Sequence, residues 1–124
     1  MPNRIEHLKK AKHNEDFYSS FNIDETLYRD WVVAGIFYAA LHFIDAYYSA
    51  ENKHFFAHGM RDEWIKNDWR LSKIYFNYRD LKEYRQKASY KIYEFSTQEI
   101  KNDILPHLES IKKFLYSLKP SVFA

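Results

Sequence analysis

The stretch from Trp31 to Tyr48, WVVAGIFYAALHFIDAYY, most constrains what this chain can fold into. It is apolar on almost every face, yet it carries His42 and Asp45 one helical turn apart. From Trp31 to Leu41 there is no charge, amide or hydroxyl except the phenol of Tyr38. A surface helix shows an apolar stripe opposite a polar face, whereas a helix apolar all round belongs in a core. A bilayer span needs about 20 such residues, and His42 and Asp45 interrupt this one too early. The segment reads as the central helix of a soluble bundle, carrying a buried polar pair.

At 124 residues the chain has room for one domain, 1–124, with a core that needs no staples. The absence of cysteine excludes disulfides, thiolate metal sites and a cysteine nucleophile. MPNRIEHLKKAKHNED is too polar for a secretory signal, and no lipidation motif is present, so the expected location is cytoplasmic, with no membrane partner. Two glycines and three prolines leave few turns, which favours long helices over a sandwich or barrel. The net charge of +2 is unevenly spread. Residues 69–93 hold seven basic side chains (Arg70, Lys73, Arg79, Lys82, Arg85, Lys87, Lys91) against two acidic ones, Asp80 and Glu83. Such an excess suits a phosphate-facing surface, and equally a solvated helix face.

The expected fold is all-α: an up-and-down helical bundle of four long helices plus one short helix. Asn3 caps a first helix running to about Phe21, with Ile5, Leu8 and Ala11/Lys12 near one face. Asn22 or Asp24 caps the second, which runs to about Ala50, and Gly35 with Ala34, Ala39 and Ala40 lets a neighbour approach closely. Residues 51–59 form a loop, then a short helix from Met60 to about Asn67 with Trp64 as its core anchor. Leu71 to about Tyr93 is the next long helix, its inner face running through Leu71, Ile74, Tyr75, Tyr78, Leu81, Ala88 and Ile92. Ser96 and Glu99 form a capping box flanked by Phe95 and Ile100 as a staple. The last helix runs from Thr97 to about Leu118, kinked near Asn102 by Pro106, and SVFA is a frayed tail.

The order of these elements, with YRDWVVAGIFYAALHFIDAYY, HGMR at 58–61 and YRDLKEYRQKASY at 78–90, resembles the HEPN superfamily of small helical bundles. The likeness covers about Leu8 to Leu118. It implies either a metal-independent ribonuclease, commonly dimeric with a composite site, or a non-catalytic RNA- or nucleotide-binding module. Both occur in toxin–antitoxin and defence systems. The family's nucleases carry an arginine, four to six residues, then a histidine: the imidazole handles the 2′-hydroxyl proton while the guanidinium holds the phosphate. No arginine here is followed by a histidine at that spacing. Arg85 stands where the family arginine is expected, but Tyr90 follows it, and a phenol with pKa of about 10 is a poor base at neutral pH.

Three pairings remain as candidate chemistry. His42 and Asp45, at i and i+3, suit a carboxylate orienting an imidazole, or a polar pair satisfied inside the bundle. His58 and Arg61 supply a proton donor and a phosphate clamp at a loop-to-helix junction, or a capping turn with an exposed arginine. His54 and His58 are spaced like zinc ligands but lack apparent third and fourth partners, so no metal and no cofactor is expected. On the basic helix, Arg79, Lys82 and Arg85 with Tyr84 and Tyr90 suit phosphate contact and base stacking, Tyr84 being the tyrosine expected at the surface. The candidate catalytic set is His58, Arg61 and His42; the candidate ligand-binding set is Arg85, Arg79, Lys82, Tyr84 and Tyr90.

The resulting expectation is an RNA- or nucleotide-binding HEPN-like protein of a toxin–antitoxin or defence system, without the usual nuclease motif. It is expected to form a homodimer and to work beside a nucleotidyltransferase-type operon partner. The alternatives are a divergent ribonuclease using His58 and Arg61, and a plain dimerisation or interaction module.

Overall fold

Asn3 opens the first helix as its sequence suggests: its side chain accepts the Glu6 amide at 2.9 Å and Glu6 reaches back to the Asn3 amide. The structure is a computed structural model that describes residues 2–55, 58–90 and 92–123, the side chain of His58 excepted. It is an all-α bundle of four long helices plus one short helix, with no strand among the described residues. In order these are α1 (Arg4–Ser19), α2 (Arg29–Ser49), the short α3 (His58–Asn67), α4 (Ser72–Ala88), the single turn α5 (Thr97–Glu99), α6 (Leu105–Leu118) and the terminal turn α7 (Pro120–Phe123). A 3₁₀ turn, Trp69–Leu71, leads into α4, and a π segment, Ile100–Ile104, joins α5 to α6.

Helix α2 is the central element, contacting α1, α4 and α6. Phe37, Leu41 and Ile44 are all buried, with Ile74, Tyr78 and Leu81 of α4 and Leu108, Ile111 and Leu115 of α6 in the same core. Burying each such side chain is worth about 1.5–3 kcal/mol. By length and composition α2 could cross a membrane, but 83% of its most apolar window is packed inside the bundle. One line along it is less covered: Trp31, 57% exposed, then Ala34, Tyr38 and His42. Gly35 lies where α1 crosses; a Cβ there would stand 3.1 Å from the Tyr18 Cβ and 3.3 Å from Phe17.

Several boundaries differ from the sequence reading, each for a visible reason. Asn22 and Asp24 do not cap α2: the Asn22 side chain accepts the Asp24 amide, and Arg29 holds the Ile23 and Asp24 carbonyls, so residues 22–28 form turns. On α1 the inward line is His7, Ala11 and Tyr18, leaving Ile5 exposed. α3 begins at His58, and its core anchor is Ile65; Trp64 is 40% exposed with the Lys53 ammonium 3.5 Å above its ring. α4 ends at Ala88, where turns Ser89–Gln86 and Tyr90–Lys87 close it, so Ile92 is 94% exposed.

Ser96 does cap, accepting the Glu99 amide at 3.0 Å, and Phe95 and Ile100 are both buried. The Glu99 carboxylate instead accepts the Tyr93 hydroxyl at 2.7 Å. Pro106 has no N–H for the Asn102 carbonyl, and the preceding turn widens to π geometry, the Leu105 amide reaching Ile100. The terminal residues 120–123 are not frayed: Val122 is buried, its carbonyl accepts from Arg4, and Phe123 stands 6.4 Å from the Phe43 ring.

The closeness of α1 at Gly35 sets a test of packing. Gly35→Val inserts methyl groups where even a Cβ is tight, and the expected cost is about 1–3 kcal/mol, read as a lower urea midpoint with far-UV helicity retained.

Candidate functional site

Asp45 sits on the second half of α2, where the helix is enclosed on all sides, and its carboxylate is buried. An isolated ionised carboxylate in such a place is very costly, so the fold must supply a cation. Arg61 does: it and Ile65, one turn apart, form the buried side of α3, a helix that packs against α4, and the Arg61 side chain reaches across to α2. The Arg61 Nε donates to Asp45 Oδ1 and Nη2 to Oδ2, both at 2.7 Å, a two-pronged bond. Arg61 is therefore neither the exposed arginine of a capping turn nor a free phosphate clamp.

One residue further on, Asp62 faces α4, accepting the Tyr78 hydroxyl at 2.7 Å and pairing with Lys82. Burial first, and then the bond to Asp62, hold the Tyr78 phenol well above its ordinary pKa, so it stays a donor. Lys82 thus spends its charge inside the molecule.

Beside the ion pair lies a cavity of about 310 Å³ lined by His7, His42, His54, Tyr38, Lys53 and Phe55, with Asp45 and Arg61 in its wall. His42 turns its Nδ1 to the Nδ1 of His7 at 3.2 Å, and it is His7, not Asp45, that it meets directly. The rings are tilted by 33°. Burial lowers the His42 pKa to about 4, against a smaller upward pull from Asp45, and burial lowers that of His7 too. Both imidazoles are consequently neutral at neutral pH, and in the bond between them one Nδ1 donates and the other accepts. Ligand atoms of His7, His42 and Asp45 lie within 4.8 Å of one another. The Nδ1 of His54 is buried with no hydrogen-bond partner among the described residues.

The sequence-predicted residues divide around this cavity. His42 and Arg61 line it. Arg85 is not in its lining but donates from Nη2 to the hydroxyl of Tyr38, which is, at 3.2 Å; Lys82 is paired with Asp62, also outside the lining. Arg79 lies apart, over the Phe76 ring and beside Asp80. Tyr84 is half-buried near His107, whereas Tyr90 is the exposed tyrosine and lines a different pocket with Arg29 and Asp30. The side chain of His58 lies outside the described residues. His7, Tyr38 and Lys53 are members the sequence reading passed over. His7 was detectable in principle, because 7, 11 and 18 share the helical face that α1 buries.

Two outcomes follow. Asp45→Ala leaves a buried guanidinium without its carboxylate and is expected to cost about 3–5 kcal/mol; Asp45→Leu with Arg61→Met should regain most of that in the same urea melts. Because the His42 pKa is depressed on folding, the unfolded chain binds the extra proton between its ordinary 6.5 and about 4. The stability from a neutral His42 is therefore complete above pH 6.5 and lost as pH falls towards 4. His42→Gln should flatten that part of the stability–pH curve. Compared with protein-family models, curated proteins and solved structures, the chain finds no match.

Proposed function

We propose that this protein binds RNA or a nucleotide, as a HEPN-like component of a toxin–antitoxin or defence system without the usual nuclease motif. The observation that carries the reading is the bond between Arg85 and Tyr38. It puts a guanidinium and a partly exposed aromatic ring at the border of a cavity that already holds three imidazoles, Lys53 and Arg61. A phosphate meets Arg85 and Lys53 there while a base has the Tyr38 face on which to stack. On its opposite face α4 presents Lys73, Arg79 and Lys87, all exposed, a second basic surface apart from this border. The less covered line of α2, Trp31 to His42, is proposed as the homodimer face, and a nucleotidyltransferase-type protein as the operon partner.

A second reading is kept for one observation: the paired, neutral imidazoles of His7 and His42. A neutral imidazole beside a bound phosphodiester accepts a 2′-hydroxyl proton, which is the divergent-ribonuclease alternative with His42 in place of His58. Arg61 is engaged by Asp45 and does not serve this reading as a clamp.

The test uses labelled single-stranded RNA and a nucleoside triphosphate at several salt concentrations. Arg85→Ala and Arg79→Ala are each expected to weaken binding with the thermal melt unchanged. Each should also lower the slope of log affinity against log salt by about 0.7 for single strands. Absence of binding at low salt would leave the interaction-module reading. Cleavage in the presence of chelator, lost in His42→Ala, would instead select the ribonuclease.

A further inference from the structure

We propose that His7, His42 and Asp45 form a binding site for one divalent transition-metal ion of the zinc, cobalt or nickel type. The inference goes beyond the RNA- or nucleotide-binding reading and does not depend on it. Its first ground is the separation of the two imidazole nitrogens. Metal–imidazole bonds are about 2.0–2.1 Å, so two nitrogens on one tetrahedral ion stand about 3.3 Å apart. The Nδ1 atoms of His7 and His42 are 3.2 Å apart. The same separation suits a hydrogen bond in which one Nδ1 donates and the other accepts, so a metal ion there would displace that proton and leave both rings in the Nε2–H tautomer.

The third ligand comes from the same helix as the second. Asp45 follows His42 by three residues, and its oxygen lies with the two nitrogens in a cluster no wider than 4.8 Å. Arg61 takes one bond to each Asp45 oxygen, and each oxygen keeps a lone pair. The guanidinium so fixes the carboxylate in the way an outer partner orients a metal ligand. His7 stands on α1 and the other two on α2, two helices locked together at Gly35, so the ligands are carried by rigid elements rather than loops. His54 lines the same cavity, and its Nδ1 is buried with no hydrogen-bond partner among the described residues.

The donor set selects the class of ion. Two or three imidazoles with one carboxylate suit zinc, cobalt, nickel or copper, whereas magnesium and calcium require oxygen ligands. Asp45 is balanced by Arg61, so the ligands carry no net negative charge to attract a hard cation by Coulomb force alone.

The experiment uses the untagged chain, stripped with chelator and dialysed, titrated with cobalt(II) and then with zinc(II), in the absence of RNA and nucleotide. Visible d–d bands are expected to rise and saturate at one ion per chain and to vanish when zinc displaces cobalt. In long-range ¹H–¹⁵N imidazole spectra of the unaltered protein, zinc should move the Nδ1 signals of His7 and His42. Those of His13 and His107 should stay. His7→Gln and His42→Gln should each weaken binding by roughly tenfold or more. Cobalt spectra without d–d bands, Nδ1 signals unmoved at saturating zinc, or affinity in either variant unchanged from that of the unaltered protein would each overturn the site. Nucleic-acid binding enters none of these readouts, so its failure and the failure of the metal site are separable.

Discussion

The buried bond between Asp45 and Arg61 is the constraint on which the rest of the site depends. A carboxylate inside the most apolar helix of the chain is tolerable only if a cation is brought to it. That cation comes from α3, the one short helix, whose other inward residue in the same line is Ile65. The bond ties α3, which packs against α4, to α2 as well. His7 from α1, His42 from α2 and His54 from the segment after α2 line one cavity beside that bond. Ion pairs of this kind add little net stability over an apolar pair of the same size, yet removing one partner is severe. The pair specifies where α3 sits more than it strengthens the fold.

The charge pattern of α4 illustrates how sequence and structure can use the same residues differently. Its basic excess is partly consumed inside the molecule. Lys82 pairs with Asp62, and Arg70, just before the helix, holds Asp68 and Glu51 at 3.0 and 2.6 Å. Glu51 also receives Lys119, which ties the end of α2 to the end of α6. What remains outward on α4 is Lys73, Arg79 and Lys87, while Arg85 lies on the inward side and donates to Tyr38 in the cavity wall.

Periodicity made the helices legible, because burial follows a 3.6-residue repeat whatever the partners are. The all-round apolar α2, the Asn3 and Ser96 caps, the close approach at Gly35 and a break beside Pro106 are all local properties. Each could be read from neighbouring residues. Where the reading failed, the deciding partner was distant in sequence. Trp64 and Ile65 are both large and apolar, and only the packing of α3 against α4 settles which of them turns inward. Asp45 plainly needed a partner, but nothing local distinguishes Arg61, sixteen residues away, from His42, three residues away. The pairing of His7 with His42 spans 35 residues and is created by the α1–α2 crossing.

The bond from Arg4 to the Val122 carbonyl, with Phe123 laid near Phe43, has a topological consequence. The first and last helical turns meet, so the backbone path comes close to a ring. A short bridge between them would give a circularly permuted chain whose new ends open in the exposed turns at 24–27, far from the histidines. Such a chain would keep every long helix intact while reversing which of α1 and α2 emerges first. Because the α1–α2 crossing is the most extensive helix pairing in the molecule, severing its short connection would replace a local loop closure with a long one. The permutant would thereby reveal how far that hairpin leads the assembly of the bundle.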